Sequence, residues 1–222
     1  MARVGLVVVS HSAKLAGGVV EVAAQMAPDV AVVAAGGTAD GGIGTDFETV
    51  AAAVDRADAG AGVVLLYDLG SARMVAELVL ESRADPDSAV LADAPLVEGA
   101  VAAAVAAQGG ASLAAVAAAA AGEEAAAEAP GGEAEQTRVR IANEVGLHAR
   151  PAALLARTLS DVDARVTVRL GDASADGRSV LALMALGARK GDELVVSATG
   201  PAAAEALRTV EDLVARNFDE PR

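Results

Sequence analysis

His11 and His148 are the only histidines in this chain of 222 residues, which contains no cysteine. Imidazole chemistry must use one or both of them, and disulfides, thiolate zinc sites and cysteine nucleophiles are excluded. His11 follows an apolar run in VVVSHSAKL, and Asp68 ends another in LLYDLGSA. If both runs are strands of a parallel sheet, the two side chains emerge on the rim made by the strands' carboxyl ends, where ligands of such sheets gather. Were those strands neighbours, the carboxylate would hold one imidazole nitrogen as N–H and leave a lone pair on the other. At an unperturbed pKa of about 6.5, roughly three-quarters of such rings are neutral at pH 7. A neutral, oriented imidazole is a competent nucleophile toward phosphorus. Ser12 and the amides after it lie near a helix N-terminus, which favours an anion. The plainer alternative is a histidine that only closes a turn. A third stretch of the rim, GGTADGGIGT at residues 36–45, is glycine-rich. It matches neither GxGxxG after a strand nor GxxxxGK followed by Ser or Thr, so those nucleotide folds have little support.

His148 lies in EVGLHARPAALLAR, at the junction of a strand and a helix, with Arg150 two residues on and Pro151 in the first turn. Free backbone N–H groups and the positive end of the helix dipole face outward there. The dipole stabilises an anion by roughly 0.3–1 kcal/mol, and Arg150 can add a charge-assisted hydrogen bond. A phosphoryl group on this histidine needs neither metal nor cofactor. The alternative is a capping histidine beside a surface arginine.

The elements that position these residues fall into three parts by charge. Residues 1–121 carry 5 basic and 14 acidic side chains, residues 122–137 carry 5 Glu and no base, and residues 138–222 carry 12 of each. The first part alternates apolar runs (Val4–Ser10, Val30–Ala35, Val63–Asp68 and Ala89–Ala92) with helical spacings. Those spacings are Leu15, Val19, Val22 and Met26; Phe47, Val50, Ala51 and Val54; and Met74, Val75, Leu78 and Val79, with Ser71 placed to cap the third helix. Repeated β-α units predict an α/β domain with a parallel sheet. The uncharged stretch from Gly99 to Gly122 has 14 Ala in 24 residues, interrupted by Gln108-Gly109-Gly110. It reads as two buried helices rather than a membrane span. Residues 122–137 hold Pro130-Gly131-Gly132 and no bulky apolar side chain, so they read as an acidic linker. In residues 138–222 three alternating runs, around Val139, Val166 and Leu194, are separated by helical patterns over Pro151–Leu159, Val180–Leu186 and Pro201–Asn217. The predicted order is β-α-β-β-α-β-α, an α+β domain, with Pro201 in the first turn of the last helix. A net charge of −14 argues against nucleic-acid binding, and no targeting segment is evident. The expectation is a soluble, cytoplasmic protein.

GLHARPA followed by GRSVLALMALGARKGDELVVSATGP resembles HPr, the phosphohistidine carrier of the bacterial phosphoenolpyruvate-dependent phosphotransferase system. The resemblance covers about residues 138–217. It implies that His148 carries phosphate, that Arg150 supports it, and that Ser179 matches a regulatory phosphoserine. Ser179 is more simply the N-cap of the helix that follows. LVVVSHS, GTDFETV, LLYDLGSA and APLVEGA, in that order, resemble mannose-type enzyme IIA domains. More closely, they resemble those of the phosphotransferase subunits of bacterial dihydroxyacetone kinase. That resemblance implies phosphorylation at His11 with Asp68 as its carboxylate partner, and a homodimer through this domain. It also implies enzyme I as donor, and the nucleotide-binding and substrate-binding subunits of the kinase as partners. Some such subunits continue into an enzyme I-like portion. None follows Arg222 here, so a separate enzyme I is expected. An enzyme IIA–HPr fusion feeding a mannose-family sugar permease, and a regulator whose phosphorylation state a transcription factor senses, stay open as alternatives.

Overall fold

The computed structural model describes residues 2–122 and 134–219. The chain divides into two compact units, Met1–Ala125 and Ala126–Arg222.

In the first unit β1 (Gly5–Ser10), β2 (Val32–Gly36), β3 (Val63–Tyr67) and β4 (Ala89–Leu91) form a parallel sheet in the order β2-β1-β3-β4. The connecting helices are α1 (Ala13–Met26), α2 (Phe47–Ala57) and α3 (Gly70–Ser82), and α4 (Leu96–Gln108) and α5 (Leu113–Ala121) follow β4. Both faces of the sheet are covered, which is why β1 is an apolar run broken only by its last residue, Ser10. Leu6, Val8, Val64 and Leu66 pack under α1, α4 and α5, while Val7, Val9, Val63 and Leu65 pack under α2 and α3. Each such Val or Leu contributes roughly 1.5–3 kcal/mol over exposure. The uncharged Ala-rich stretch forms α4 and α5. Among the described residues no helix is long and apolar enough to cross a membrane.

The spacing of bulky side chains misplaced two helix faces. Ala16, Val19 and Ala23 are the buried residues of α1, and Ala72, Ala76 and Val79 those of α3. Leu15, Val22, Met74 and Leu78 are instead exposed. Alanines let these helices sit close to the sheet, leaving the larger side chains outside the contact.

In the second unit β5 (Glu135–Arg140), α6 (Ala149–Ser160), β6 (Arg165–Leu170), β7 (Ala173–Asp176), α7 (Val180–Ala185), β8 (Glu193–Thr199) and α8 (Ala203–Ala215) follow in the predicted order. The sheet is antiparallel, β5-β8-β6-β7. Val139, Val166, Val168, Leu194 and Val196 are buried on one face, as are Leu155, Leu159, Leu207 and Val210 of the helices. β5 starts three residues inside the segment read as linker, because Gln136 and Thr137 pair with Ser197 and Val196 of β8. A backbone ladder needs no bulky side chain, so composition gave no sign of it. Residues 123–133 of that segment lie outside the described residues. Pro201 precedes α8 rather than opening it, since Ala202 is the N-cap and Ala203 donates back to Gly200.

Candidate functional site

β1 and β3 are direct neighbours, with Val9 paired to Tyr67, so the residues after them leave the sheet side by side. His11 Nδ1 lies 2.9 Å from Asp68 Oδ1. Asp68 Oδ2 accepts the His11 backbone N–H at 2.9 Å and the Ser10 hydroxyl at 2.9 Å, and Oδ1 also accepts the Leu69 N–H at 2.8 Å. Burial pushes this carboxyl up. The His11 amide, the His11 ring, the Ser10 hydroxyl and the histidine's charge together outweigh burial and hold it below its ordinary value. An ionised Asp68 keeps a proton on Nδ1 and therefore a lone pair on Nε2. The His11 side chain is about 20% exposed and that of Asp68 about 12%. Imidazole and carboxylate are thus mostly enclosed, yet open to an incoming group. The glycine-rich loop closes the other side of the turn, where Gly44 N–H donates to the His11 carbonyl at 2.9 Å. At Gly36 a Cβ would fall 2.7 Å from the Ser12 carbonyl, so glycine there lets β2 approach the start of α1.

Three serines complete the arrangement, and two of them were not marked as site residues by the sequence. Ser71 does not cap α3. Leu69 holds that position without a side-chain bond, because the Asp68 carboxylate already takes the Leu69 amide and the helix starts at Gly70, two residues earlier than a cap at Ser71 would start it. The Ser71 hydroxyl instead lies 2.7 Å from His11 Nε2. With the proton on Nδ1, Ser71 is the donor to Nε2. Ser10 is wholly buried beneath Asp68. Ser12 caps α1 by accepting the Leu15 N–H at 3.3 Å, and its own N–H donates to Ser10 Oγ at 3.0 Å. Its polar atoms therefore serve the turn rather than touching the ring. Signals did exist for the other two: Ser10 is a lone polar residue ending an apolar strand, and Ser71 lies three residues after Asp68, where a first helical turn faces back to the rim.

On the second unit His148 occupies the N-cap position of α6, but its side chain makes no capping hydrogen bond. The amides of Ala149 and Arg150 open the helix ahead of the first intrahelical donor, Ala152. Arg150 is exposed. The turn before His148 is pinned where Leu147 N–H donates to the Ala188 carbonyl at 2.9 Å. Gly146, at φ +83°, lies so close to that carbonyl that a Cβ would fall 2.1 Å from it. This brings the 188–190 turn, with Arg189 and Lys190, against the His148 turn, and Lys190 pairs with Glu144. Ser179 caps α7 by accepting the Ala182 N–H at 3.2 Å.

The model of the family described as "PTS system fructose IIA component" matches residues 5–117, and that described as "PTS HPr component phosphorylation site" matches residues 135–216. "PEP-dependent dihydroxyacetone kinase, phosphoryl donor subunit DhaM" of Providencia stuartii is 35% identical over 242 residues, covering 98% of this chain and 50% of that protein. The corresponding subunit of "PEP-dependent dihydroxyacetone kinase 1" of Listeria innocua is 45% identical over 100 residues, covering 45% of this chain and 78% of that protein. A crystal structure titled as that of the unknown function protein EF1359 matches with a TM-score of 0.50 at 32% identity, over 57% of this chain and 98% of that one. The chain spans about half the length of the full-length curated relatives it matches, such as that of Providencia. It belongs to the family of phosphoryl donor subunits of phosphoenolpyruvate-dependent dihydroxyacetone kinase, with a fructose-type IIA unit followed by an HPr unit.

Proposed function

We propose that this chain is a phosphohistidine relay in which His148 receives phosphate from phosphorylated enzyme I and passes it to His11. His11 then phosphorylates ADP held in the nucleotide-binding subunit of a dihydroxyacetone kinase, and dihydroxyacetone is phosphorylated by that kinase. The observation that carries this reading is the partly exposed His11 ring, held at Nδ1 by Asp68 and met at Nε2 by the Ser71 hydroxyl alone among the hydrogen bonds of the described residues. The Nε2 lone pair attacks phosphorus, the P–N bond to the donor imidazole breaks, and the His11 ring becomes a cation that the Asp68 carboxylate offsets. The reverse polarity serves delivery: a terminal oxygen of ADP attacks phosphorus, the P–Nε2 bond breaks, and a neutral ring remains. The Ser71 hydroxyl, released from Nε2, is placed to donate to a phosphoryl oxygen. At His148 the open amides of α6 and Arg150 supply the anion site.

On this reading the chain is a transferase component rather than a complete kinase. Its partners are enzyme I, both kinase subunits and a second copy through the first unit, and its place is the cytoplasm. Residues 1–121 and 138–222 act as separate carriers joined by the acidic segment between them. The test incubates the chain with enzyme I, labelled phosphoenolpyruvate, purified nucleotide-binding subunit and ADP. Label should pass to ATP and should be acid-labile and base-stable on the chain. Label retained by a His11→Ala, His148→Ala double variant would sink the proposal. Light scattering reads the dimer.

A further inference from the structure

Ser10 ends β1 with no exposed surface, at the end of a run that is otherwise wholly apolar. A buried hydroxyl must be satisfied, and this one is satisfied in a single orientation. Its oxygen accepts the Ser12 N–H at 3.0 Å and its proton goes to Asp68 Oδ2 at 2.9 Å. The Ser12 amide is fixed by the start of α1, so the hydroxyl cannot turn its proton that way. Oδ2 then holds the Ser10 hydroxyl and the His11 amide, while Oδ1 holds the Leu69 amide and the His11 ring. With two donors on each oxygen the carboxylate has no alternative pose that keeps them all.

We propose that Ser10 is a positioning residue for phosphoryl acceptance: its hydroxyl locks the Asp68 carboxylate so that Oδ1 keeps the His11 proton on Nδ1 and the lone pair on Nε2. The proposal rests on His11 being the phosphoryl acceptor. Loss of the hydroxyl leaves Asp68 three donors, with Oδ2 held by the His11 amide alone, so the carboxylate is less firmly fixed. It also makes the carboxylate easier to protonate, and a protonated Asp68 no longer fixes the tautomer. The titratable group facing Asp68 is His11. On the adjoining turns the Tyr67 hydroxyl donates to Asp93 at 2.7 Å and Arg73 lies 3.8 Å from the same carboxylate, so those charges are engaged with one another.

The test uses the full chain carrying Ser10→Ala or Ser10→Thr. Imidazole ¹⁵N shifts of His11, read in a His148→Ala background, report the tautomer. Transfer from phosphorylated His148 to His11, read with both histidines present, gives the pH profile. In Ser10→Ala the Nδ1–H fraction should fall and the acid limb of the profile should move to higher pH. The transfer rate should drop about tenfold at neutral pH, with His148 labelling unchanged. Ser10→Thr should restore all three. An unchanged tautomer and acid limb would overturn the proposal and leave Ser10 as mere packing, even if thermal stability falls. Should Ser10→Ala not fold, Ser10→Cys, nearly isosteric and a weaker donor, carries the same expectations at smaller amplitude. Absence of label on His11 in the unsubstituted chain would defeat the relay instead, while the tautomer measurement would still decide the role of Ser10.

Discussion

Asp68 holds His11 twice, accepting its ring at Nδ1 and its backbone N–H, each at 2.9 Å, through different oxygens. One side chain thereby sets both the position of the residue and the tautomer of its ring. Replacing it with an amide keeps the shape and loses the charge. Asp68→Asn should slow transfer through His11 about 10- to 150-fold, the equivalent of about 1.5–3 kcal/mol for a hydrogen bond to a charged group. Labelling of His148 by enzyme I should be spared. Quenched-flow transfer at the rate of the unsubstituted chain would mean that the carboxylate is not the orienting group.

Ser71 meets the other nitrogen. Its hydroxyl donates to Nε2 in the free ring and is placed to follow a phosphoryl oxygen once that lone pair is used. Ser71→Ala should leave the Nδ1–H tautomer intact while phosphoryl-His11 hydrolyses about 2- to 12-fold faster, from about 0.5–1.5 kcal/mol for one hydrogen bond. A decay time equal to that of the unsubstituted protein would remove Ser71 from the phosphorylated state.

The acid sensitivity of the first unit follows from the same carboxylate. Asp68 titrates below its ordinary value when folded, so the unfolded chain takes up its proton first as acid is added. Its contribution is fully present above the ordinary carboxylate value of about 4 and is lost as pH falls from there through the folded value. Asp46, held down chiefly by the Thr49 hydroxyl and then the Thr49 amide, adds a contribution of the same sign. Asp68→Asn should subtract only its own share. The gap in melting temperature between the two proteins should be widest near neutrality and close as pH drops below about 4, and a gap that widens in acid would contradict the assignment.

Gly146→Ala attacks the other histidine through its turn. The new Cβ would meet the Ala188 carbonyl at 2.1 Å from a backbone at φ +83°. Strain at such a position costs about 1–3 kcal/mol. Because the overlap with the carbonyl adds to that strain, denaturant unfolding of the second unit should shift by at least that amount, and enzyme I should label His148 more slowly because the 188–190 turn is pushed away. His11 chemistry, assayed on the first unit, should not change.

Tethering supplies a further expectation. A flexible chain as long as the 12 residues between Gly122, the C-cap of α5, and Glu135, the start of β5, would span roughly 17–21 Å. A short flexible tether gives an effective concentration on the order of millimolar. Transfer from His148 to His11 should therefore be first order and independent of protein concentration. A protease site placed within the segment should slow it at low micromolar protein once cut. A rate unchanged by cleavage would make the two units independent carriers. Mixing His11→Ala with His148→Ala chains separates transfer within a chain from transfer between chains.

Much of this protein was legible in its residues. Two histidines in a cysteine-free chain narrowed the chemistry, and unbroken apolar runs in one half against alternating runs in the other separated a parallel sheet from an antiparallel one. Those features are local, because side-chain period and turn chemistry act over a few residues. The site was not local. Asp68 reaches His11 across 57 residues of sequence and Ser71 across 60. Only the strand order β2-β1-β3-β4, which makes β1 and β3 neighbours, turns those separations into hydrogen bonds. Strand order is a property of the whole sheet, set by how all the helices cover both faces at once. Alanine hid the rest: at Ala16, Ala23, Ala72 and Ala76 a small side chain marks the closest approach of helix to sheet, and hydrophobic spacing points past it to larger neighbours that tertiary packing leaves exposed.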